Sequence, residues 1–162
     1  MSNDQGSGQR SLTNAVVIGI ASMIAISSVP LVIREIRTYQ EVEKLSEQVV
    51  ELSEQQKYDT AIPLAEQVLT IQQQGKPSPK HLAHSLQNLS YLYYKKERYQ
   101  EAEPLAQQAL DIRRRELGND HLDTAQSLHL LAALHFEQGR YKRAEPLVQQ
   151  AAYQRGKKYQ SD

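Results

Sequence analysis

The chain has no cysteine, no tryptophan and a single phenylalanine. Without thiols there can be no disulfide, no thiolate nucleophile and no Cys-based zinc site. Glycine (7) and proline (6) are sparse among 162 residues, and long stretches rich in Ala, Leu, Gln and Glu favour helix nearly throughout. Neither sign of charge is in excess: Lys and Arg total 19, as do Asp and Glu. No global field therefore draws nucleic acid or acidic substrates to the chain. Gly-rich phosphate loops, nucleophile elbows and zinc-protease helices are missing too. His81 and His84 lack further ligands for a metal, and His129 and His135 lie about 240° apart around a helix. Arg113-Arg114-Arg115, with Glu116 beside it, reads as a solvated helix end. These absences predict no enzyme, no cofactor, no metal and no nucleic-acid partner.

What is present is repetition. AEPLAQQAL at 102–110 returns as AEPLVQQAA at 144–152 and, more weakly, as AIPLAEQVL at 61–69. Tyr58, Tyr99 and Tyr141 each stand three residues before the alanine of their copy. Self-similarity at this period means stacked units, none able to bury its apolar face alone. Pro63, Pro104 and Pro146 recur about five residues after each tyrosine. They are read as markers of a helix start, where the first N–H groups have no intrahelical acceptor.

Ahead of the repeats, residues 11–33 carry no charge, and residues 15–33 are apolar apart from three serines, a glycine and a proline. Twenty-three residues rise about 34 Å as a helix, enough for a bilayer core of roughly 30 Å. Arg34 and Arg37 then stop the run as a stop-transfer flank would, so a retained single-span anchor over 15–37 is expected. A signal peptide cleaved near Ala25-Ile26-Ser27, releasing a secreted module, is the alternative. The bases after the span outnumber Arg10 before it, which puts the repeats on the cytoplasmic side. Residues 1–14, polar and Gly/Ser-rich, are expected to be disordered.

Apolar periodicity predicts an array over 38–156, divided at about 38–74, 80–117 and 122–156, and a tail over 157–162. Residues 75–79 and 118–120 break the helices, and Asp120 or Asp123 is expected to cap the helix after the second break. Ala61, Ala102 and Ala144 let paired helices approach, while Leu45, Leu86 and Leu128 and the three tyrosines are expected to fill the core between neighbours.

A period near 42 falls in the range of HEAT and armadillo units, longer than the usual 34-residue tetratricopeptide unit. The residues decide otherwise. Residues 117–151 resemble the 42-residue tetratricopeptide units of the kinesin light chain type, whose links end in an L-G-x-x-H-P-x-T-A phrase. Leu117, Gly118, His121, Thr124 and Ala125 match that phrase, with Leu122 in place of its proline. Gly139, Tyr141, Ala144, Pro146 and Leu147 match the intra-unit turn. The resemblance covers 58–156 strongly and 38–57 weakly, and the link at 75–80 lacks the His-centred phrase.

The resemblance implies an all-α superhelical array of three helix–turn–helix units, here preceded by one transmembrane helix. It also implies a concave groove, lined by the first helix of each unit, that holds a peptide. That face maps to His84, Gln87, Asn88, Tyr91, Tyr94 and Lys95 in the middle unit, and to Gln126, His129, Leu130, Ala133, Phe136 and Glu137 in the third. Asn88 falls where the family often has a peptide-holding asparagine, and Leu130 replaces it in the third unit. The function expected is a membrane-anchored adaptor for a protein or peptide partner, touching the bilayer through residues 15–33. An assembly factor or accessory subunit of a membrane complex is the alternative; in layout the chain resembles the photosystem I assembly factors. The flank of the last helix (Leu147, Val148, Ala151) has no evident polar cap, so a partner or a second copy forming a homodimer is expected there, or else a frayed tail.

Overall fold

The structure, a computed structural model, describes residues 32–75 and 77–158. The chain divides into two units at residues 41 and 42. In the first, residues 32–41 are helical and Val32, Ile33, Ile36 and Tyr39 are about half exposed. The expected tail over 1–14 and the anchor over 15–37 lie outside the described residues, except for 32–37 of the anchor. Among the described residues no helix is long and apolar enough to cross a membrane.

The second unit is all-α. Residues 32–54 form α1, of which the part from Val42 belongs here; α2 (Tyr58–Gln74), α3 (Pro79–Lys95), α4 (Tyr99–Leu117), α5 (Leu122–Glu137) and α6 (Tyr141–Lys158) follow. From α2 to α6 each helix packs on the next in sequence, and α3 also touches α5. The core follows the repeat. Ala61, Ala102 and Ala144 are at most 4% exposed, and Leu86, Leu92, Leu110, Leu128 and Leu134 are fully buried. Each of those leucines contributes about 2 kcal/mol of transfer free energy.

Each hairpin closes in the same way. Gln56, Glu97 and Gly139 occupy equivalent places with φ of 58°, 59° and 72°. The Glu97 and Arg98 N–H groups donate to the Tyr94 and Tyr93 carbonyls at 3.0 and 2.9 Å, and Gly139 and Arg140 repeat this on Phe136 and His135 at 2.9 and 2.8 Å. The paired bonds satisfy the last carbonyls of the first helix, and they require one left-handed residue.

The link phrase of the third unit also has a physical reading. Gly118 takes a φ of 84°, and Thr124, fully buried, donates its hydroxyl to the Gly118 carbonyl at 2.8 Å. His121 is the N-cap of α5: its Nδ1 accepts from the Asp123 N–H at 3.1 Å. The expectation that Asp120 or Asp123 caps this helix is thus corrected, because the imidazole reaches the free N–H first. In the link without this phrase, Ser78 caps α3 and Pro79 opens it.

Two other expectations change. Pro63, Pro104 and Pro146 lie inside their helices, at the sixth residue. They therefore do remove an i→i−4 bond, and the carbonyls left over belong to Asp59, Gln100 and Lys142. All three residues are exposed, so water can satisfy the carbonyls. Among the tyrosines, Tyr58 and Tyr99 are partly buried but Tyr141 is 59% exposed. Its position is a core position only where another unit follows, and none does among the described residues.

The two ends of the array differ. On α3 and α5 the register facing the preceding unit carries Ser85, Leu89 and Leu92, and Ser127, Leu131 and Leu134, none of the leucines more than 3% exposed. On α1 the same register reads Lys44, Gln48 and Glu51, all exposed. The α1 end is thus closed by polar side chains, as the outermost helix of a stacked array needs to be.

Candidate functional site: a groove between the first helices

The groove grows out of helix periodicity. Positions three and four apart on α3 share one face, and the equivalent positions on α5 lie alongside. Gln87, Asn88, Tyr91 and Tyr94 from α3 and Gln126, His129, Leu130 and Ala133 from α5 together line a groove of about 370 Å³. That volume suits a large side chain and some backbone on either side of it. Leu130, Ala133 and the rings of Tyr91 and Tyr94 (centroids 6.5 Å apart) make it apolar. The amides of Asn88 and Gln126 and the His129 imidazole offer polar contacts. No Lys, Arg, Asp or Glu lines it, so nothing in the wall is built to grip a carboxylate or a phosphate. Asn88 also lines a small cavity with Ser46 and Val49 of α1 and Ala65 and Val68 of α2.

Gln87 is less available than its place suggests. Its Oε1 accepts from Arg113 and, at 2.9 Å, from the Ser127 hydroxyl. Arg113 is 2% exposed and also donates to Ser127 Oγ at 2.8 Å and to the Asp123 carbonyl at 2.9 Å. A buried guanidinium thus ties α3, α4 and α5 together beneath the groove. Burial lowers its pKa, with the Asp123 charge opposing. Reading 113–115 as a solvated run holds for Arg115, which is exposed, and fails for Arg113. The signal that could have found it is the repeat itself: Arg113 shares its register with Gln72, which is also buried.

The other four expected residues stand outside the groove lining. His84, exposed, lines a small cavity with Arg113, Leu117 and Asp123; partial burial, then the Arg113 charge, lowers its pKa. Lys95 lies over the rings of Tyr58 and Tyr91, at 5.9 and 6.0 Å. Glu137 accepts from the Tyr94 hydroxyl at 3.4 Å, and the Tyr94 pKa is raised by burial and then by the Glu137 charge. Phe136, 58% exposed, meets Tyr141 edge-on at 5.1 Å. Two polar contacts were not read from the sequence. The Tyr93 hydroxyl donates to Glu66, and burial followed by that bond raises its pKa to about 12. His135, 7% exposed, has Glu103 Oε1 at 3.9 Å from its Nδ1. Among the described residues no three potential metal ligands come together.

Comparison with known proteins agrees with this architecture. A family model described as tetratricopeptide repeat matches residues 49–115 and 82–152. No curated protein matches the chain in sequence. Among solved structures, the nearly identical TPR-like repeats of a Podosopora anserina protein assigned as a kinesin light chain superpose with a TM-score of 0.66 at 24% identity. The match covers 72% of this chain and 56% of that one. The TPR domain of Arabidopsis FLU gives 0.65 at 17% identity, over 77% of this chain and 99% of that one. BtubC (BKLC) from P. vanneervenii gives 0.61 at 19%, over 93% and 57%. This chain thus spans little more than half the length of the first and third of these structures, and at such identities the likeness is one of fold.

Proposed function

Because the chain belongs to the tetratricopeptide repeat family, we propose that it is an interaction adaptor holding a segment of a partner protein in the groove between α3 and α5. Tetratricopeptide domains bind protein partners and typically serve as scaffolds without catalysis of their own. The single observation that carries the reading is the pairing of an apolar floor, Tyr91, Tyr94, Leu130 and Ala133, with exposed amides at Asn88 and Gln126. An aliphatic or aromatic side chain of the partner fills the floor, and the amides bond its backbone on either side. The lack of fixed charge in the wall favours an uncharged anchor residue over an acidic one. Display selection of random peptides on the full chain tests this. Enriched peptides are expected to share an apolar anchor and to bind about tenfold more weakly to Tyr91→Ala. Peptides that bind the variant equally well refute the groove.

We also propose that residues 15–33 tether the adaptor to a membrane, with the repeats on the cytoplasmic side. The support is the uncharged run over 11–33 and the bases that follow it. Alkaline carbonate extraction is expected to leave the chain in the membrane pellet; release into the supernatant contradicts the tether.

A further inference from the structure

Hydrogen-bond polarity is fixed along the contacts beneath the groove. A guanidinium can only donate. Ser127 Oγ accepts from Arg113 at 2.8 Å, and its own proton goes to Gln87 Oε1, 2.9 Å away. That oxygen accepts from Arg113 as well. The Gln87 amide is thereby held one way round: turned over, its NH2 group would face the guanidinium, donor against donor. Arg113 and Ser127 are at most 2% exposed, so water does not compete for these bonds.

The other end of the amide follows from this. Gln87 is partly exposed and lines the groove, and among the described residues its Nε2 donates to nothing. The side chain therefore offers the groove an N–H donor and no acceptor. Asn88 and Gln126, both exposed, have no such anchor among the described residues and can present either end of their amides. Gln87 stands one turn before Tyr91 on α3, about 6 Å along the helix axis. Consecutive residues of an extended chain lie about 3.4 Å apart. A partner side chain seated on the Tyr91 ring thus brings a backbone carbonyl one or two residues away within reach of Nε2. A backbone N–H in that place would meet another donor.

We propose that Gln87 is a specificity-determining residue of the groove, its fixed N–H donor selecting a backbone carbonyl of an extended segment one or two residues from the apolar anchor. The assignment rests on the groove holding a partner segment, and Gln87→Glu separates the two. The carboxylate keeps an oxygen for Arg113 and Ser127 and turns a second acceptor toward the groove. With a display-selected peptide and the full chain, this variant is expected to bind about tenfold more weakly, at a urea midpoint no lower than the parent's. A series of that peptide with one backbone amide at a time replaced by an ester, whose carbonyl is a poorer acceptor, locates the contact. One ester within two residues of the anchor is expected to weaken binding to the parent several-fold and to make no difference to Gln87→Glu. No costly ester in that stretch on the parent, or ester losses that are the same on both proteins, would overturn the donor assignment. So would undiminished binding to Gln87→Glu while Tyr91→Ala still weakens it, a result that leaves the groove itself standing. Undiminished binding to both variants would overturn the two readings together.

Discussion

Removing the Arg113 guanidinium leaves Gln87 Oε1 and the Asp123 carbonyl without that donor, in a place where only 2% of the arginine itself reaches solvent. Arg113→Ala is expected to cost about 2–4 kcal/mol in urea unfolding, and Arg113→Met less, since an apolar chain of similar volume refills the space. A loss below about 0.5 kcal/mol would show that the guanidinium does not join the three helices. His135 makes a second prediction. Burial lowers its pKa below 6.5, the Glu103 charge raises it in part, and Arg140 and Arg143 lower it further. The unfolded chain therefore binds this proton more readily than the folded one. The stabilisation is complete above pH 6.5 and is lost as the pH falls from there toward the depressed value. Unfolding free energy measured between pH 7.5 and 5 is expected to slope less in His135→Gln than in the parent; equal slopes contradict the burial argument. Neither residue was read as buried from its immediate neighbours in the sequence; only the register of the repeat carries a signal. A run of three arginines and a lone histidine look the same whether or not a neighbouring unit covers them.

At the scale of elements, the hairpin turn is the most informative feature. Three equivalent turns use a left-handed residue, yet only the third has glycine there. Non-glycine residues resist that conformation by roughly 1–2 kcal/mol, part of which glycine returns as entropy of the unfolded chain. Glu97→Gly is expected to raise stability by about 0.5 kcal/mol and Gly139→Ala to lower it by about 1 kcal/mol. A drop in melting temperature for Glu97→Gly would contradict the assignment. The helices themselves were legible, because each carries apolar residues at helical spacing and the breaks before α3, α5 and α6 contain glycine or proline, although those before α2 and α4 contain neither. The caps were less so. Aspartates next to a break look like caps, but which side chain reaches the free N–H depends on the backbone angle at His121. The prolines misled for a related reason: spacing does not reveal how many turns of helix precede them.

Across the whole molecule, the array is a one-dimensional stack in which α1 carries polar residues where α3 and α5 carry buried leucines. The polar end is visible in the sequence once the copies are aligned, since Gln48 replaces Leu89 and Leu131, and Glu51 replaces Leu92 and Leu134. The face carrying the groove could be mapped from helical spacing and family resemblance. Which of its residues stay free could not, because Gln87 is held by Arg113 of α4 and Ser127 of α5, contacts that spacing does not encode. The central claim is that the concave face, not the convex one, meets the partner. The most direct measurement places a photo-crosslinking amino acid at Tyr91, which is 42% exposed in the groove, and separately at exposed Gln108 on α4, in cells making the full chain. A discrete adduct with another protein from position 91, lost when Leu130→Arg is added and missing from position 108, is the predicted result. Equal adducts from both positions, or adducts from position 108 alone, would contradict the account.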